Sequence, residues 1–132
     1  MRKQLTKKDL IKKLDRIFSE YIRRRDADEY GYCMCITCSK PYFWKDIHCG
    51  HFISRSKKAV RFHELNCHAQ CVRCNSFRQG EPLEYRFALI EKYGKEAVEN
   101  LEMVARLGGD ETIESLQMKI AEYKEKLKEL EK

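Results

Sequence analysis

Cys35-Ile36-Thr37-Cys38 and Cys71-Val72-Arg73-Cys74 decide how this chain reads. Each is a C-x-x-C pair, and 32 residues lie between them. Two thiolates at that spacing can face one ion from a tight knuckle, and two such pairs complete a tetrahedral zinc shell with bonds of about 2.3 Å. A redox disulfide would need only one of the pairs. Cys35, Cys38, Cys71 and Cys74 therefore read as ligands of a structural Zn²⁺. The chain has seven Cys, an odd number that a closed set of disulfides does not produce. The three left over, Cys33, Cys49 and Cys67, read as small apolar core fillers.

Around this framework the composition is that of an ordinary globular domain. Hydrophobic residues make up 42% of 132 and charged residues 36%, with six Gly and two Pro, which excludes collagen-like, low-complexity and wholly disordered chains. No apolar run reaches the roughly 18 residues of a membrane span, and the charged N-terminus leads into no signal core. The expectation is a cytoplasmic protein. Residues 1–80 hold 18 Lys/Arg against 8 Asp/Glu, a net of +10, whereas residues 81–132 hold 9 against 13, a net of −4. Every His and Cys falls in the basic part, so an anionic partner is expected there, with nucleic acid the commonest case. A merely solvated basic surface is the alternative.

Three segments follow from periodicity. In residues 1–30, Leu10, Leu14, Ile17, Phe18 and Tyr21 form one apolar stripe, predicting a helix from about Lys8 to Arg25. Residues 31–107 hold both knuckles and all four His, with extended pieces over 46–53, a short helix opening near Cys71, and helices over 84–93 and 95–107. Gly108-Gly109-Asp110 marks a linker. Beyond it, in the unit 108–132, Ile113, Leu116, Ile120, Tyr123, Leu127 and Leu130 follow 3, 4, 3, 4, 3 spacing, an a/d seam too short to be stable alone. Its partner is either a second subunit, giving a homodimer through this helix, or the same chain.

Chemistry, if present, lies between the knuckles. His51 stands in Cys49-Gly50-His51-Phe52-Ile53, fifteen residues before Asn66, and Asn75 follows nine later, directly after the second knuckle. Knuckle, His-bearing hairpin, Asn loop and a knuckle opening a helix together resemble the treble-clef His-Asn-His or His-Asn-Asn nucleases. The chain further resembles the phage NinG (Rap) family of recombination proteins. That likeness rests on Leu14-Asp15-Arg16-Ile17-Phe18-Ser19-Glu20-Tyr21-Ile22-Arg23, the first knuckle, Gly50-His51-Phe52-Ile53-Ser54-Arg55, Arg61-Phe62, Asn66, Gln70-Cys71-Val72-Arg73-Cys74-Asn75, Gln79-Gly80 and Tyr93-Gly94. The resemblance implies an α+β fold with a zinc-bound, treble-clef ββα-metal (HNH-like) core flanked by helices. It also implies a metal-dependent endonuclease acting on branched DNA such as Holliday junctions and D-loops, in the cytoplasm of a bacterial host.

Phosphodiester hydrolysis needs a base for water, a cation for the phosphate, and alignment. His51 suits the base role if its other ring nitrogen is held by a carbonyl. Asn66 would supply that carbonyl or brace the hairpin. Asn75 offers an amide oxygen to Mg²⁺ or Mn²⁺, and Gln79, one helical turn on, could add a second. Gly50 stands where many relatives of the broad class place an Asp or His ligand, leaving His48 or Cys49 to contribute, the thiol poorly matched to Mg²⁺. Arg55 is expected to clamp the phosphate with its guanidinium fork. Arg23, Arg24, Arg25, Lys57, Lys58, Arg61, Arg73 and Arg78 are expected to add sequence-independent backbone affinity. The alternatives are a zinc-stabilised DNA-binding or adaptor protein without catalysis, and an interaction module built on the heptad helix.

Overall fold

A computed structural model describes residues 5–131; residues 1–4 of the N-terminal segment, and residue 132, lie outside it. Helix α1 spans Lys7–Arg25, one residue longer than its apolar stripe predicts, because Thr6 caps it. The Thr6 hydroxyl accepts from the Asp9 N–H while the Asp9 carboxylate accepts from the Thr6 N–H, a reciprocal capping box. Strands β1 (Tyr32–Met34) and β2 (Pro41–Phe43) form an antiparallel hairpin whose turn carries the first knuckle. Strands β3 (His48–His51) and β4 (Cys67–Gln70) form a second antiparallel pair, joined by the long loop 52–66. Helices α2 (Pro82–Tyr93), α3 (Lys95–Leu107) and α4 (Ile113–Glu131) follow. The fold is mixed α+β, and among the described residues no helix is long and apolar enough to cross a membrane.

The expected short helix after Cys71 is a five-residue π-helical turn, Arg73–Phe77. Gln79, Gly80 and Glu81 have φ of 54°, 84° and 48°, so the chain leaves the helical region three times in succession. Gly80 tolerates that conformation, and Pro82 excludes the residue before it from continuing a helix. Gln79 therefore shares no helical face with Asn75.

The heptad seam is satisfied within the chain. Leu116, Ile120 and Tyr123 of α4 are buried with Leu10, Leu14, Ile17, Phe18 and Ile22 of α1, and Leu127 packs beside them. Phe18 meets Tyr123 edge-on at 4.9 Å and Phe62 at 5.6 Å. Of the two partners open to the seam, a second subunit or the same chain, the structure supplies the second: α1 covers it, leaving its end residues Ile113 and Leu130 exposed. Glu64 ties α4 to the 52–66 loop, accepting from Tyr123 Oη and Lys126 Nζ, both at 2.9 Å. Helices α2 and α3 close the other side through Tyr85, Leu89 and Val98 against Ile36 and Phe52.

Two stability measurements test this packing. Leu116→Ala, at a fully buried position, is expected to cost about 2–5 kcal/mol in chemical denaturation. Burial alone would raise the Glu64 carboxyl, yet its bonds to Lys126 and Tyr123 leave it below the ordinary 4.5. A lowered carboxylate stabilises the fold above its unfolded value and loses that contribution as pH falls below about 4.5 through the folded value. Glu64→Gln should therefore flatten the acid side of the stability profile, and an unchanged slope would assign Glu64 no such part.

Candidate functional site

The second knuckle sits where β4 ends, and the first sits on the β1–β2 turn that folds onto β4. The Ile36 N–H donates to the Ala69 carbonyl at 2.9 Å, and the Cys71 N–H donates to Cys35 Sγ at 3.3 Å. All four sulfurs of Cys35, Cys38, Cys71 and Cys74 lie within 4.8 Å of one another. A tetrahedral ion with bonds of about 2.3 Å separates its sulfurs by about 3.8 Å. Cys38 and Cys71 stand 3.8 Å apart, so the cluster can hold one metal ion with little movement. Burial works against ionisation of Cys35, but N–H groups of Cys71, Cys38 and Thr37 and the Thr37 hydroxyl bring its thiol down to about 6. Such N–H···S bonds prepare a thiolate ligand. Cys33 instead fills core, its thiol donating to the Arg23 carbonyl at 3.1 Å.

Strand β3 and the π-helical turn line a cavity of about 710 Å³ that gathers His48, His51, Arg55, Asn75 and Gln79, with Arg23, Lys45 and Asp15 on its wall. His51 Nε2 lies 2.9 Å from the Arg61 carbonyl oxygen. Because a carbonyl only accepts, Nε2 carries the proton and the imidazole lone pair rests on Nδ1. Burial pulls His51 below its ordinary 6.5, the bond to Arg61 opposing and the Arg55 charge adding to the fall. Burial and the Arg55 charge together favour the neutral imidazole.

Asn66 does not reach that imidazole. It is fully buried, and its Oδ1 accepts from the Ile53 N–H at 2.7 Å while Nδ2 donates to the carbonyls of Ile53 (3.0 Å) and Val60 (3.1 Å). Of the two roles open to it, the geometry is that of a brace: Asn66 clamps both ends of the loop that follows His51. The carbonyl on His51 comes from Arg61 instead. Asn75 faces His48, its Nδ2 standing 3.1 Å from His48 Nδ1. Gln79 reaches the same cavity from the loop rather than along a helix.

Gly50 has a steric explanation. A Cβ there would lie 2.2 Å from Gln70 Oε1 and 2.7 Å from Gln70 Cβ. The Gly50 carbonyl also accepts from the buried Tyr85 hydroxyl at 2.7 Å. No ligand-bearing side chain fits at position 50, so any metal ligand on β3 must come from another residue.

The basic residues divide by environment. Arg25 donates to the carbonyls of Glu64 (3.1 Å) and Cys67 (2.8 Å) and to Asp26 (2.8 Å), which makes it a framework residue rather than a surface cation. Arg61 is held by Asp15 through two hydrogen bonds, Nε to Oδ1 and Nη2 to Oδ2. Arg24 lies over the Trp44 ring at 4.4 Å and pairs with Glu131 at 3.0 Å. Arg23 donates to the Trp44 carbonyl at 2.9 Å, while Lys58 and Arg78 pair with Asp110 (3.6 Å) and Glu81 (3.5 Å). Arg55, Lys57 and Arg73 are exposed and make no ion pair with another described residue. Lys45, on the cavity wall, carries no motif signal; only its proximity to the knuckle-linked β3 identifies it.

Fold and site together define a small α+β protein clamped by a four-cysteine cluster beside a basic, His-bearing cleft. The chain belongs to the NinG family, whose model, described as bacteriophage lambda NinG protein, matches residues 1–132. Protein ninG of Escherichia phage lambda is 35% identical over 123 residues, covering 91% of this chain and 56% of the relative. Protein ninG of Salmonella phage P22 is likewise 35% identical, over 91% of this chain and 57% of the relative. The corresponding protein of Escherichia phage 933W is 33% identical with the same coverage, 91% and 57%. The chain thus spans about half the length of the curated relatives it matches. No solved structure gives a significant match.

Elemental analysis after mild chelation is expected to give one tightly held zinc per chain. Cys71→Ser should lose it and, because ligand binding and folding are coupled, strip hydrogen-exchange protection from both strand pairs. A metal content well below one per chain in the wild type would remove the cluster's assigned role.

Proposed function

We propose that the protein is a metal-dependent, structure-specific DNA endonuclease of the HNH-like, treble-clef type, cutting branched recombination intermediates such as Holliday junctions and D-loops. The observation that carries this reading is His51 on a basic cavity, with one ring nitrogen anchored on a carbonyl and the other left to accept a proton. In this reading zinc on Cys35, Cys38, Cys71 and Cys74 is structural, locking β4 and the π-helical turn that presents Asn75. Family membership with phage ninG proteins supports a DNA-recombination role, since the NinG resemblance implies it.

His51 acts as general base, drawing a proton from the attacking water onto Nδ1 while Arg61 holds the ring's orientation. Asn66 is a positioning residue that fixes the loop carrying Arg55. The Arg55 guanidinium pairs with non-bridging phosphate oxygens, while Lys45 on the cavity wall and the exposed Lys57 and Arg73 attract the backbone. When bound, a divalent ion would stabilise charge on the phosphate and the leaving oxygen. Asn75, Gln79 and His48 are the residues that would hold it. Two amides and an imidazole, with Asp15 already engaged by Arg61, make a weak set for Mg²⁺ and a better one for Mn²⁺, so phosphate oxygens and water must complete the shell. That lack of a free carboxylate favours a second reading, a zinc-stabilised protein that binds branched DNA without cutting it.

A four-way junction incubated with purified protein and Mg²⁺ or Mn²⁺ separates the two readings: cleavage supports the nuclease, and binding alone supports the adaptor. His51→Ala should reduce cleavage by about 10² to 10⁴ while junction binding and the zinc on Cys35, Cys38, Cys71 and Cys74 stay at wild-type levels. Wild-type cutting by that variant at saturating metal would remove His51 from the base role.

A further inference from the structure

Cys49 and Cys67 are not only core fillers. The register of β3 against β4 pairs His51 with Cys67 and Cys49 with Ala69, so both thiols and the imidazole stand on one face of the two-stranded ribbon. One ligand atom from each of Cys49, His51 and Cys67 lies within 4.8 Å of the other two. Cys49 and His51 line the cavity, and Cys67, paired with His51 across the ribbon, is fully buried beside them. The Arg61 carbonyl accepts from His51 Nε2 at 2.9 Å and stands 3.7 Å from Cys67 Sγ. Metal-bound histidines characteristically hold their second ring N–H on such a carbonyl, which fixes the tautomer and turns the lone pair to the ion.

We propose that Cys49, His51 and Cys67 form a second metal site, selective for a thiophilic divalent cation of the zinc type, whose occupancy silences the cleft. Two thiolates and an imidazole leave a tetrahedral ion one open position, which the cavity can fill with water. The same donors are too soft for Mg²⁺, so the ion that would assist cleavage does not compete for them. Binding expels one proton from each thiol, and the two thiolates neutralise the dication. The imidazole lone pair is then engaged in the metal bond and cannot take a proton from water. Chelation returns the thiols to their protonated form and frees the ring. The silencing rests on His51 being the base; the metal binding does not.

The test starts from protein carrying one zinc per chain. Titrated with Co²⁺, the wild type should take up a second equivalent with thiolate-to-metal charge-transfer absorption and tetrahedral d–d bands, its first zinc remaining by elemental analysis of the same sample. Cys49→Ser, altered at a half-buried position on the cavity wall, should keep the first zinc and the far-ultraviolet circular dichroism of the wild type but lose the second equivalent. His51→Ala should lose it too, which serves if Cys49→Ser fails to fold. A wild type that binds no second ion, or variants that bind it as the wild type does, would overturn the site. In Mg²⁺ buffer, micromolar Zn²⁺ should stop junction cutting by the wild type and not by Cys49→Ser, with chelator restoring it. Zinc-insensitive cutting by the wild type would overturn the silencing. A wild type that never cuts would sink the nuclease reading instead, and the cobalt titration would still decide the metal site.

Discussion

The structure depends on bringing four thiols from two distant knuckles to one point. That convergence fixes the end of β4, among the described residues the one strand buried along its whole length. The start of β4 is held by the last residue of α1, Arg25 donating to the Cys67 carbonyl at 2.8 Å, and its middle by the capping Asp26, which accepts from the Ala69 N–H at 2.8 Å. A four-residue strand with only one neighbour is marginal on its own ladder. Held at both ends by a sulfur cluster and an ion-paired helix terminus, it becomes the reference against which β3, and so His51, is placed.

The cleft is built by relays. Asp15 on α1 fixes the Arg61 side chain, and the Arg61 main-chain carbonyl fixes the His51 ring, so helix and loop jointly set one imidazole. Asn66 closes the loop between them. Positive charge near the site therefore has two duties. Arg25 and Arg61 are structural cations whose partners are buried or semi-buried oxygens, whereas Arg55, Lys57 and Arg73 leave their charge directed to solvent. Counting basic residues along the chain detects the field but cannot separate the two groups, because the separating partners lie dozens of residues away.

What was legible in the sequence was whatever spacing encodes. Both knuckles, the apolar stripe of α1 and the bounds of α3 follow from local periodicity, and the ordered His51, Asn66 and Asn75 point to one region. What was not legible depends on long-range partners. The α4 seam is equally suited to another copy of the chain or to α1, and only packing decides for α1. The end of the π-helical turn was signalled by Gly80 and Pro82, though a helix continued through Gln79 was the simpler reading. The brace role of Asn66 follows from a loop geometry that no spacing records. The second face of β3–β4, with Cys49 and Cys67 beside His51, follows from register, which one strand's sequence does not specify.

The contact between Gly50 and Gln70 has an evolutionary consequence. Gln70 is completely buried, held by Thr37 at 3.2 Å and the Gly80 carbonyl at 2.8 Å, and it occupies the space that a side chain at position 50 would need. In this chain a carboxylate or imidazole on β3 at residue 50 would need residue 70 to become small first. Two solutions to the same strand pair are therefore separated by a step that neither single substitution crosses cheaply. A chain that fills the space from β4 must recruit its cleft ligands from positions other than 50.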